Sequence, residues 1–401
     1  MPILLPETLP AAAALRAEGI RVLAPGERPA RTLEIGLVNL MPDKPTTETQ
    51  LGRLLGAAPQ VTRLSLYRPE GEASRRTPAA HLDHYETIED AAAAALDALI
   101  ITGAPVEQKP FSAVRYWPAL AALYDHARER ALPTLNICWA AMAALHHFRG
   151  VAKRGLARKA FGVFDQRVLE PSHPLMQGIA KSFPLPVSRH ADVPRKMIED
   201  AGVSVLAADS ESGASVAHDA GNGATLLFDH FEYDAETLLA EFLRDRQAAL
   251  PTAPPSGLAL GSAGAVPWRP VAHLLFRNWL TEVERGAAAR RPRDLLDWLL
   301  ASDAPMPADN TLVAVGSAGP ELFAGVAAAA AALGMPVASM RHQVVDGTHA
   351  VAVALRGEVA EATIERFTKR VVETDGVHRV LHRAAGHHGS ALVAQPTGRA
   401  A

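Results

Sequence analysis

Apolar runs alternate with breaks of polar, glycine and proline residues along the first 145 positions, with the spacing of buried strands and amphipathic helices. After an N-terminal arm (4–23), residues 32–40 are mostly apolar, as a strand covered on both faces requires. A loop at 41–47 leads to a predicted helix over 48–55, a strand near 61–66, a helical stretch at 91–96 and a strand at 98–102. Gly103-Ala104-Pro105 breaks that strand. An amphipathic helix over 113–131, a strand at 133–137 and a small-residue helix from Trp139 continue the alternation. This is a doubly wound α/β pattern, whose loops at the carboxyl ends of the strands gather into one crevice.

From 163 to 228 the pattern weakens to short strands such as 203–206 and 224–228. The second runs into Asp229-His230-Phe231-Glu232 and a helix over 235–246. Residues 250–267, rich in Pro, Ala, Gly and Ser, read as a surface loop, and a helix over 271–284 closes this domain. Beyond the basic segment 285–293 the order is strand (311–315), helix (320–333), strand (337–345), turn at Asp346-Gly347, strand (350–355), helix (359–374) and strand (377–382). That βαββαβ order is a ferredoxin-like unit. The expected division is a large domain over 1–286, a linker over 287–309, a small domain over 310–386 and a disordered tail over 387–401.

At 401 residues and 48% hydrophobic content the chain can bury cores for two or three domains. A net charge of −3 with mixed signs argues against nucleic acid or a membrane as the main partner, and a small-molecule substrate fits better. One cysteine excludes an intramolecular disulfide. No charged-then-apolar leader opens the chain and no run of about 18 apolar residues occurs, so a cytoplasmic protein is expected.

That cysteine, Cys138, lies where the strand at 133–137 meets the following helix. At such a turn a thiol stands at the sheet's carboxyl edge, beside amide groups that favour thiolate and can receive an oxyanion. The alternative is a buried structural cysteine. A thiol nucleophile needs a base and a group to orient it, and His230 with Glu232 can supply both from one strand end. The pairs His146-His147 and His387-His388 lack metal-ligand spacing, and no metal is expected.

Eight segments then carry a resemblance: NLMPDKPTTETQLGRLLG (39–56), RTPAAHLDHYETIED (76–90), LIITGAPVEQKPF (99–111), YWPAL (116–120), NICWAAMAAL (136–145), SRHADVP (188–194), HFEYDAETLLAEFLRD (230–245) and HLLFRNWL (273–280). In order and spacing they resemble the homoserine O-acyltransferases of the MetA type over about 1–285. The resemblance implies a class I glutamine amidotransferase-like α/β fold and transfer of an acetyl or succinyl group from coenzyme A to L-homoserine in methionine synthesis. Acetyl-CoA or succinyl-CoA would be a co-substrate, with no permanently bound cofactor.

Carried over residue by residue, Cys138 matches the acyl-thioester nucleophile, His230 the base and Glu232 its orienting partner. Lys44 matches a lysine near the oxyanion site, while Lys159, Ser188 and Arg244 match substrate-binding positions. Arg244 offers a fork for the homoserine carboxylate, and Lys159 and Ser188 offer donors. Glu107 stands where the family separates a glycine, which admits a succinyl carboxylate, from a glutamate, which fills and repels it, so acetyl-CoA is expected. The family pattern Gly-His-Pro-Glu is here Asp229-His230-Phe231-Glu232. This departure opens rate and acceptor choice, serine included.

The C-terminal unit lies outside the resemblance, and its order is similar to ACT-type domains. Regulation by an amino-acid effector, oligomerisation and an unrelated role are its alternatives, and a homodimer is expected. Two other readings of the whole chain are a glutamine amidotransferase-like hydrolase and a non-catalytic amino-acid sensor. The missing Gly-x-Cys-x-Gly elbow around Cys138 weighs against the first.

Overall fold

The computed structural model describes residues 2–24, 27, 32–71, 76–257, 266–301, 311–317, 319–345, 348–357, 359–373, 377–383 and 391–394. It divides into two compact units, Met1–Gly286 and Ala287–Ala401. The expected turn at Asp346-Gly347, and parts of the expected loop (258–265), linker (302–309) and tail (387–390, 395–401), lie outside the described residues.

The first unit begins β1 (Pro2–Leu4), α1 (Pro10–Ala17), β2 (Arg21–Leu23), β3 (Leu33–Val38), α2 (Lys44–Gly56) and β4 (Thr62–Arg68). It continues β5 (Glu86–Thr87), α3 (Ile88–Ala93), β6 (Ala98–Ile101), α4 (Trp117–Glu129), β7 (Thr134–Ile137) and α5 (Trp139–Arg149). Then come β8 (Arg154–Val168), β9 (Ser182–Asp192), α6 (Arg195–Asp200), β10 (Ser204–Asp209), β11 (Gly213–Asp219), β12 (Ala224–Leu227), α7 (Thr237–Gln247) and α8 (Arg269–Ala301).

The sheet order is β2-β1-β4-β3-β6-β7-β12-β11-β10-β8-β9, with β5 beside β4. From β2 to β12 neighbours are parallel, and from β12 to β9 they are antiparallel. β6, β7 and β12 are buried at every position; β6 is continuously apolar, while Thr134, Asn136 and Thr225 are polar side chains buried in the other two. Helix α5 buries every residue from Trp139 to Leu145, and its four alanines at 140, 141, 143 and 144 remove the bulk that would hold it off the sheet.

Element ends depart from the sequence reading where caps and prolines decide them. Asp43 caps α2 by accepting from Thr46 N, so the helix starts at Lys44 inside the expected loop. Pro118 in the first turn of α4 sets its start near Trp117, after a separate 3₁₀ turn at Phe111–Ala113. Between 154 and 192 the chain forms the long β8–β9 pair, where the sequence reading had placed no strand. Most of β8 is exposed or half-exposed, so its residues are not apolar enough to announce a strand.

The second unit comprises β13 (Thr311–Gly316), α9 (Gly319–Ala332), β14 (Val337–Val345), β15 (Thr348–Leu355), α10 (Glu361–Val372), β16 (Val377–Arg383) and β17 (Ala391–Ala394). Its sheet order, β14-β15-β13-β16-β17, is the ferredoxin-like order with one added edge strand. Helices α9 and α10 cover one face through Leu322, Val326, Ile364, Phe367 and Val371. Two expectations are corrected here. Residues 287–301 are the second half of α8, because their Ala, Arg and Leu favour helix more than Gly286 and Pro292 oppose it. Within the expected tail, the apolar Ala391–Ala394 pairs with β16.

Candidate active site

β7 and β12 are parallel neighbours in register, Ile137 opposite Leu227, so the residues after each emerge side by side. Cys138 takes φ 52° and ψ −112°, one of three non-glycine residues with positive φ among those described. Such backbone is costly for a side chain with a Cβ and is kept where surrounding structure imposes it. Here the Cys138 amide donates to Leu227 O at 2.6 Å, while its carbonyl accepts from Ala141 N at 3.1 Å at the start of α5. On the other side, a Cβ on Gly103 would stand 3.2 Å from the Cys138 Cβ, so the loop after β6 passes against the thiol. The thiol Sγ lies 4.0 Å from Ser188 O on β9.

His230 sits two residues past Phe228, where the β12 end meets β9: its amide donates to Pro186 O at 3.0 Å. Its Nδ1 is 2.7 Å from Glu232 Oε1, and the ring stacks on Tyr233 at 4.0 Å between centroids. Burial lowers the imidazole's basicity, but the charges of Glu232 and Cys138 carry it well above the usual histidine value. Burial pushes the Cys138 thiol up, and the charge and hydrogen bond of His230 oppose that rise. The thiol and the imidazole therefore follow the ends of neighbouring strands, each within reach of the other's charge.

Lys44 is buried at the start of α2, its Nζ donating to Asn39 O at 2.5 Å and Met41 O at 3.3 Å. The same loop is tied to the β6 end, since Leu40 N donates to Thr102 Oγ1 at 2.8 Å. Lys44 thus braces the loop beside the Gly103 segment that touches Cys138. Below it lies a buried polar group in which Asn39 donates to Tyr85 Oη, while Tyr85 and His81 both engage Glu48.

Lys159 and Ser188 converge on Glu241 of α7. Lys159 Nζ is 3.2 Å from Glu241 Oε2 and from Asp245 Oδ2, and Ser188 Oγ donates to Glu241 Oε2 at 2.5 Å. The inward aim of Lys159 comes from a bulge: β8 advances from Gly155 to Ala160 while β9 retreats only from Ala191 to Arg189. Tyr233 Oη donates to Glu241 Oε1 at 2.6 Å. Burial raises the Glu241 carboxyl, but Lys159, Ser188, Tyr233 and His230 together hold it below its ordinary value, so it is ionised. Arg244, on the same helix, is 44% exposed and donates through Nε and Nη2 to Asp245 Oδ1. Glu107 is half-buried, with its carbonyl accepting from Lys153 Nζ at 2.5 Å. Burial raises its carboxyl, while the His190 amide and the His230 and Lys159 charges oppose this.

Among the described residues no group of three His, Cys, Asp or Glu could hold a metal ion, and no helix is long and apolar enough to cross a membrane. His146 instead stacks on Phe111, and His147 faces Asp125.

The family model of homoserine O-succinyltransferase matches residues 2–287. The chain belongs to this homoserine acyltransferase family. Proteins named homoserine O-acetyltransferase from Brucella canis, Brucella suis and Brucella abortus are each 41% identical to it over 292 residues, 71% of this chain and 95% of theirs. Among solved structures, a glutamine amidotransferase from Thermotoga maritima is 13% identical, covering 63% of this chain and 97% of its own, with a TM-score of 0.43. One from Methylobacillus flagellatus, also 13% identical, covers 62% and 94% with a TM-score of 0.45.

The acyltransferase thus works in methionine biosynthesis, on homoserine and an acyl-CoA. Of the residues expected from its sequence, Cys138 and His230 stand at the ends of neighbouring strands with Glu232 on the imidazole, Lys159 and Ser188 meet on Glu241, and Glu107 is half-buried with its carbonyl on Lys153. Arg244 reaches the group through Asp245. Sequence reading missed Tyr233, Glu241 and Arg189. The signal for Glu241 was present, because Glu241 and Asp245 are four apart and so share one face of α7.

Proposed function

We propose that this acyltransferase moves an acetyl group from acetyl-CoA to the hydroxyl of L-homoserine through a thioester on Cys138. The observation that carries the reading is that Cys138 and His230 follow the ends of the neighbouring parallel strands β7 and β12, with Glu232 Oε1 2.7 Å from the imidazole Nδ1. In the first half-reaction the Cys138 thiolate attacks the thioester carbonyl, forming a C–S bond. The oxyanion faces the first amides of α5, which have no partner within the helix, and the loop that Lys44 braces. The intermediate collapses by breaking the bond to CoA, whose sulfur takes the proton from the His230 imidazolium.

Acylation also removes the thiolate charge that raised the basicity of His230. The now neutral imidazole takes the homoserine hydroxyl proton as that oxygen attacks the acyl carbon. Collapse releases the ester and restores thiolate and imidazolium. Glu241, held ionised, gives an α-ammonium group its counter-charge, with Lys159 and Ser188 beside it. Arg244 spends two of its five donors on Asp245 and keeps others for the substrate carboxylate.

Glu107 and the names of the Brucella relatives favour acetyl over succinyl. The test is to mix enzyme with acetyl-CoA alone and follow CoA release and intact mass. One equivalent of CoA and an acetyl adduct are expected, discharged by homoserine. Cys138→Ala should release no CoA and make almost no ester; turnover near wild type would sink the thioester route.

A further inference from the structure

Arg189 and Asp229 form a buried ion pair that the proposed chemistry leaves unused. Arg189 is 1% exposed and Asp229 is fully buried. Arg189 Nη1 donates to Asp229 Oδ1 at 2.5 Å, to Phe228 O at 3.3 Å and to Ala214 O at 3.4 Å, and Nη2 donates to Ser212 O. One guanidinium therefore joins β9, the β12 end and the turn before β11. In the sheet, β9 and β12 are separated by β11, β10 and β8, so this tie is not made by the ladder.

Its position matters more than its strength. Arg189 follows Ser188, whose carbonyl lies 4.0 Å from the thiol and whose hydroxyl holds Glu241. Asp229 precedes His230, and it is the carboxylate that stands where the family pattern has glycine. Burial pushes the Asp229 carboxyl up to about 6, against the opposing charges of Arg189 and His230, and burial likewise raises the Cys138 thiol, with Arg189 the smallest of the influences that oppose it. Around the pair, Asp192 lies 3.6 Å from Arg189 and is shared with Arg154.

Building on the Cys138 reading above, we propose that Arg189 and Asp229 are positioning residues, which hold His230 against Cys138. Replacing either charge with a neutral side chain leaves its partner buried and uncompensated, so lost folding stability alone is a weak readout. Thiol reactivity separates the roles. Alkylation of Cys138 by iodoacetamide depends on thiolate and needs neither CoA nor homoserine, so it is independent of acyl transfer.

The experiment measures alkylation rate against pH for wild type, Asp229→Asn, Asp229→Glu and Arg189→Lys, with melting temperature alongside. Asp229→Asn should react about tenfold more slowly than wild type, its midpoint displaced upward by about one pH unit, and Asp229→Glu should recover part of the loss. Should Asp229→Asn not fold, Arg189→Lys carries the test, since it keeps charge but loses the fork. A lowered melting temperature with an unmoved alkylation profile would overturn the proposal and leave the thioester route standing. A wild-type thiol that iodoacetamide does not alkylate at any pH would overturn both the activation of Cys138 and this inference.

Discussion

Glu107 brings a carboxyl to the candidate acyl pocket and leaves Oε2 buried without a hydrogen-bond partner among the described residues. Its carbonyl is anchored by Lys153, so the side chain is presented from a fixed backbone. On the acetyl reading proposed above, it occupies the space a succinyl carboxylate would need, and when ionised it repels that group. Glu107→Gly should therefore raise kcat/KM for succinyl-CoA relative to acetyl-CoA by about tenfold or more, the scale on which pocket contacts discriminate substrates. Steady-state CoA release with both donors, against homoserine and serine, checks this; an unchanged ratio would end the acyl-pocket argument. The placement of Cys138 and His230 at strand ends was legible in the apolar runs before them, and that of Glu232 in its two-residue step from His230. Arg189 was not, since a buried arginine on a half-polar strand looks like a solvated one until its carboxylate is found 40 positions away.

At the scale of elements, the site depends on how closely the ends of β6 and β7 approach. A methyl at Gly103 would meet the Cys138 Cβ at 3.2 Å and Ile137 O at 3.7 Å, so the strained turn would have to give by a few tenths of an ångström. Gly103→Ala should lower the rate of CoA release from acetyl-CoA by about tenfold or more, because small misplacements at a reacting atom are expensive. Its melting temperature should fall by only a few degrees, since the clash touches a single side chain. Unchanged single-turnover kinetics would mean that the approach is not part of the site. The parallel core was readable from its apolar runs alternating with helical stretches, and Gly103-Ala-Pro marked the strand end. The β8–β9 pair was not, because its bulge and exposed positions hide the strand period, and the aim of Lys159 depends on that bulge.

On the scale of the whole molecule, the family match stops at residue 287, where the second unit begins, while α8 continues to Ala301. Among the described side chains, the large buried apolar residues of α8, Leu275, Phe276, Trp279, Leu280 and Val283, precede Gly286. Every residue proposed for the chemistry lies before that point too. A chain ending at Ala301 keeps this helix whole and should retain acetyl transfer to homoserine within about twofold, as a unit with its own core does. If the ferredoxin-like unit carries subunit pairing or an amino-acid effector, the shortened chain should lose both. Light scattering would then report a smaller particle than the full chain, and a screen of amino acids that alters full-length kinetics would leave the short form unmoved. A short form that folds, by circular dichroism, but has lost transfer would place part of the catalytic requirement beyond Ala301. The reading of residues 1–286 as the complete catalytic domain would then fail.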